Sequence, residues 1–85
     1  GPTAIVCREL SKKTNPVHDQ KNYYSRFLLF KMRAFLSAFS SHLYQEGRRD
    51  EQRLIDELIS LLKPGVSPDT WRNICSSLNI YRDMT

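Results

Sequence analysis

Between Tyr23 and Gln45 the chain contains neither glycine nor proline and is rich in Leu, Phe, Ala, Met, Lys and Arg. Such a run predicts one long helix of ~33 Å, at 1.5 Å per residue. Asp19 or Asn22 is expected to cap its start. Gly47 stops it, as a residue free to enter positive φ after a helix. Turned at 100° per residue, the segment shows a narrow polar stripe of Arg26, Arg33, Ser37, Ser40 and Ser41. Leu28, Leu29, Met32, Phe35, Leu36, Phe39 and Leu43 form a broad apolar face. Phe27, Ala34 and Ala38 make a second apolar strip beyond Lys31 and His42. A helix apolar over so much of its circumference is expected at the centre of a bundle or against another chain.

Two shorter helices follow. The first begins at Arg49 or Asp50, with Asp50 and Glu51 at the end where the macrodipole favours acids. Leu54, Ile55, Leu58, Ile59, Leu61 and Leu62 form its inward stripe, and Pro64-Gly65 ends it. Ser67-Pro68-Asp69 then reads as an N-cap, a proline at the first helical position and an acid in the first turn. Trp71, Ile74, Cys75 and Leu78 recur at helical spacing on one face. Asn79 is the expected C-cap, with Ile80 and Tyr81 folding back on the body.

Ahead of the long helix, residues 1–16 read as a basic arm or a short extra helix that folds over the body. Ile5, Val6 and Leu10 are its candidate inward face, and Asn15-Pro16 marks a turn. Gly1-Pro2, without an initiator Met, reads as a protease scar, and the chain as a piece of a longer intracellular regulatory protein. At 85 residues, 40% of them hydrophobic, there is room for one domain. Three glycines and four prolines are too few for a loop-rich all-β protein. The expected fold is all-α: a small three-helix bundle, with a long central helix and a helical hairpin over residues 17–85, plus the N-terminal arm.

Sequence signals of catalysis and of cofactor binding are absent. No nucleophile elbow, zinc-protease motif or phosphate-binding glycine loop occurs, so the expectation is a non-catalytic chain without cofactor. Cys7, Cys75, His18 and His42 lack metal-site spacing, and no metal is expected. Two cysteines are too few for a secreted disulfide framework, which points to reduced thiols inside the cell. Cys75 reads as a small core hydrophobe, Cys7 as the more exposed thiol, and Trp71 as core. No apolar run approaches the ~18–20 residues of a membrane span.

The net charge of +4 is uneven. Residues 1–33 hold seven basic and two acidic side chains, whereas residues 34–85 hold six basic and seven acidic ones. A basic arm on a near-neutral body suits an acidic partner or nucleic acid. Residues 51–79 also have the outline of a helix–turn–helix, with Arg72, Asn73, Ser76 and Ser77 facing outward. Yet residues 50–79 carry three basic and five acidic side chains, against the charge that phosphate contacts require.

The surplus apolar surface of the long helix is therefore the main pointer to function. The expected activity is protein–protein interaction, with a short hydrophobic or acidic motif or with a second copy. Phe27, Phe30, Lys31, Ala34, Ala38 and His42 are the candidate groove. Arg26 and Arg33 are the complementary charges, and Phe30 and Arg33 have no evident structural task. Nucleic-acid binding through the basic arm and long helix, or through 51–79, is the alternative. Residues 3–10 packing on the apolar strip would instead make it part of the core. Small helical bundles of this form occur in partner-binding modules of nuclear regulators, so the nucleus is expected in preference to the cytoplasm.

The cap at residue 67 is directly testable. Ser67→Ala should cost ~0.5–2 kcal/mol by leaving a first-turn N–H unpaired. An unchanged denaturant midpoint would place the start of the third helix elsewhere.

Overall fold

The computed structural model describes residues 2–13 and 23–81. Among these residues four α-helices run in order, α1 (Pro2–Ser11), α2 (Arg26–Gln45), α3 (Arg49–Leu61) and α4 (Pro68–Ser77). There is no strand among the described residues. The protein is an all-α bundle, and Pro2–Ser11 adds a helix to the three expected from periodicity.

Helix α2 begins three residues later than periodicity suggests. Its N-cap is Ser25, whose hydroxyl accepts a bond from the Leu28 N–H at 3.1 Å. Tyr24 explains the delay: its N–H reaches the Val66 carbonyl at 2.8 Å, and its buried hydroxyl donates to the Leu10 carbonyl at 2.9 Å. Two tertiary bonds of that kind outweigh the small intrinsic gain of three more helical residues. The expected caps Asp19 and Asn22, and the Asn15-Pro16 turn, lie outside the described residues.

After α2 the chain reverses at Gly47, φ +73°. The Gly47 N–H reaches the Tyr44 carbonyl and the Arg48 N–H reaches the Leu43 carbonyl, the paired bonds of a Schellman motif. α3 therefore returns antiparallel to α2. Ser40 donates to Asp56 at 2.6 Å near the middle of the pair. Lys63-Pro64-Gly65-Val66 closes with a bond from the Val66 N–H to the Lys63 carbonyl. Gly65 holds φ +96°, as a type II turn with proline second and glycine third requires. Ser67 caps α4 as its spacing predicts, accepting from the Thr70 N–H at 3.2 Å. Asn79 lies one position beyond the Leu78 C-cap, in the left-handed region at φ 58°. Ile80 folds back into the core.

The core joins all four helices through Ala4, Cys7, Leu29, Leu36, Ile55, Leu58, Trp71 and Cys75 among others. α2 packs along α3, α1 along α4, and α3 also touches α1 and α4. The inward face of α1 differs from expectation. Thr3, Ala4, Cys7, Leu10 and Ser11 are buried, whereas Ile5 is 58% exposed and Val6 only partly covered. Small residues face inward because α1 lies close against the bulky Trp71, whose indole N–H donates to the Cys7 carbonyl at 3.0 Å.

Cys7 is thus fully buried rather than exposed, alongside Cys75. The hydrogen bond between the two thiols, and then burial, push the Cys7 thiol well above the ordinary range. Neither sulfur has the exposed, electropositive setting of a reactive thiol.

Burial likewise raises the Tyr24 phenol, from 10.0 to about 12; Arg72 opposes the rise and Cys75 adds to it. The folded protein therefore keeps a proton that the unfolded chain releases at a lower pH. Stability from this group is complete below pH 10 and lost as pH climbs toward 12. Thermal melts should show that fall. Tyr24→Phe should cost about 1 kcal/mol at neutral pH and make the fall shallower, not absent, because Tyr81 is raised too. An identical slope in the variant would remove Tyr24 as its source.

Candidate functional site

Helix α2 has two unlike faces. Leu29, Met32, Leu36, Ser40 and Leu43 are buried toward α3 and the core. The opposite side meets solvent, and it mixes polar residues with large apolar ones: Phe27 is 69% exposed and Phe30 68%. Ala34, Ala38 and His42 continue that side along the helix and are also exposed. Residues 3–10 do not cover it, since α1 is committed to α4 and α3. Arg26, Phe27, Phe30, Lys31, Ala34, Ala38 and His42, singled out from sequence, thus all lie on the exposed side of one helix. The Lys31 ammonium sits over the Phe27 ring, 4.7 Å from its centroid, which steadies both side chains.

Arg33 departs from the expectation that it has no structural task. Its guanidinium donates to the Leu62 carbonyl at 2.7 Å. Leu62 is the C-cap of α3, where carbonyls lack helical partners. Arg33 is therefore a tertiary cap that holds α2 to the end of α3, and less available to a ligand than Arg26 or Lys31.

Phe35 also departs from its expected place. The wheel puts it on the inward face, yet it is 53% exposed. It stands at the edge of a groove of about 520 Å³ between α1 and α2. Ile5, Val6, Leu10, Leu28, Met32 and Phe35 supply the apolar lining, completed by Glu9, Lys13 and Lys31. Sequence reasoning missed this feature because it needs two helices whose relative placement periodicity does not encode. The one available signal was a second apolar pair, Ile5-Val6, left over once Ala4, Cys7 and Leu10 are assigned inward.

The outward face of α4 holds Arg72, Asn73, Ser76 and Ser77, all exposed. Two of these are already engaged. Arg72 bonds the Ser11 carbonyl at 3.3 Å and pairs with Asp69, and Ser77 donates to the Ile74 carbonyl at 2.8 Å. Trp71 is fully buried in the core. Among the described residues no group of three or more His, Cys, Asp or Glu side chains could hold a metal ion. No helix among them is long and apolar enough to cross a membrane. No protein family, curated protein or solved structure was found to match this chain.

Replacing Arg33 by Met keeps the stem and removes the bond to Leu62. The variant should lose about 1 kcal/mol, a modest value for a partly exposed charged bond. A midpoint equal to that of the parent would show that the α3 terminus is satisfied by solvent instead.

Proposed function

We propose that this chain is a non-catalytic protein–protein interaction module that works through the apolar surface of α2. The observation that carries the reading is the exposure of Phe27 and Phe30 on a helix whose other face already fills the core. Exposed aromatics in a row with small residues lose apolar surface to water that only a further partner can cover. Such clusters are the usual material of binding hot spots. The buried free thiols suit a reducing intracellular compartment. The nucleus, in preference to the cytoplasm, rests on fold-level analogy with partner-binding modules of nuclear regulators.

Binding is to be read by fluorescence anisotropy with labelled amphipathic peptides, and self-association by sedimentation at several concentrations. Phe30→Ala should leave stability within ~0.5 kcal/mol of the parent, because the side chain is outside the core. It should weaken peptide binding or dissociate a dimer by more than ~1 kcal/mol. Unchanged association in a folded variant would remove Phe30 from the site. Binding to random duplex or single-stranded DNA that is steeply salt-dependent and indifferent to Phe30 would favour the nucleic-acid alternative.

A further inference from the structure

We propose that the groove between α1 and α2 receives an acidic amphipathic helix from another protein, a proposal that rests on the interaction-module reading. The groove floor is apolar, formed by Leu10, Leu28 and Met32, with Ile5 and Phe35 standing exposed at its sides. An apolar trough between two helices is what the apolar stripe of a third helix fits, through side chains at i, i+3, i+4 and i+7.

The chain's own sequence between α1 and α2 supplies little to fill it. Residues 14–22, which follow the groove residue Lys13, contain Val17 as their one aliphatic side chain.

Charge selects the occupant. Helix α2 has no carboxylate in its 20 residues, and of its basic side chains Lys31 lines the groove. Lys13 and Lys31 are exposed beside the groove. Glu9, the one acid among the described lining residues, is already paired with Lys12 at 3.3 Å. A second copy paired through α2 would set that carboxylate-free helix against the same basic surface, and like charges oppose that pairing. A helix with Leu-type residues on one stripe and Asp or Glu beside them meets both the floor and the lysines.

The probes are labelled helical peptides with leucines at i, i+3, i+4 and i+7 and the other positions all Glu or all Lys. A Glu peptide of scrambled order is the control. The whole chain should bind the ordered Glu peptide at least about tenfold more tightly than either other peptide, and less tightly as salt rises. Ile5→Asp and Phe35→Asp should each weaken binding about tenfold or more. Amide chemical shifts of the unmodified chain should move around residues 5–10 and 28–35, which tests the groove even if a variant fails to fold.

Equal binding of the Lys or scrambled peptide would overturn the proposal. So would binding that depends on Phe30 but not on Ile5 or Phe35, although the interaction-module reading would then stand. A dimer dissociated by Ile5→Asp, with no peptide binding, would make a second copy the occupant. No binding of any peptide together with a monomer at every concentration would sink the groove, and the absence of association through Phe30 would sink the wider reading too.

Discussion

The indole of Trp71, bonded to the Cys7 carbonyl across 64 positions of sequence, sets where the first helix lies. A ten-residue helix is marginal on its own, because nucleation costs more than so few bonds return. α1 is held by what α4 and the approach to α2 offer its last turns. Trp71 takes the Cys7 carbonyl, Tyr24 that of Leu10 and Arg72 that of Ser11. Carbonyls at a helix end need partners: the Ser11 hydroxyl and the Lys12 and Lys13 N–H groups bond those of Arg8, Glu9 and Leu10, and the distant side chains add tertiary bonds to this local set. Fixing α1 this way packs Ala4 and Cys7 against the bulky face of α4 and leaves Ile5 and Val6 pointing elsewhere.

That commitment has a consequence for α2. With α1 spent on α4 and α3, the long helix keeps a single packed side, against α3 and the core. Ser40 to Asp56 and Arg33 to the Leu62 carbonyl fasten this side at two heights. The Schellman turn at Gly47 fixes the antiparallel return. The remaining circumference of α2 stays in water although it carries phenylalanines. That surface costs solvation free energy and contributes nothing to the core, and it is the surface through which the proposed interaction module would bind.

The polar groups of the fold are well satisfied. Among the described residues no buried side-chain nitrogen or oxygen lacks a hydrogen-bond partner. The surface ion pairs, such as Lys12 with Glu9 and Arg53 with Asp50, are exposed pairs three residues apart on their helices. Pairs of that kind contribute little to stability, so the bundle depends on apolar burial and on the few tertiary bonds named above.

Local chemistry was legible in the residues themselves. The glycine- and proline-free run up to Gln45, the Gly47 stop, the Ser67-Pro68-Asp69 start and the inward Trp71–Cys75 stripe all follow from backbone freedom and helical period. These act over a few residues, and so a sequence displays them directly. The exposed strip from Phe27 to Ala38 was legible for the same reason, as apolar positions in excess of what two partner stripes can cover. Tertiary structure alone decided the rest. It delayed α2 to Arg26 through Tyr24, gave Arg33 a capping task, buried Cys7, turned Ile5 outward and opened the groove beside Phe35. Each depends on which helix α1 chooses. That choice is a contest of packing between distant surfaces, which no periodicity within one helix records.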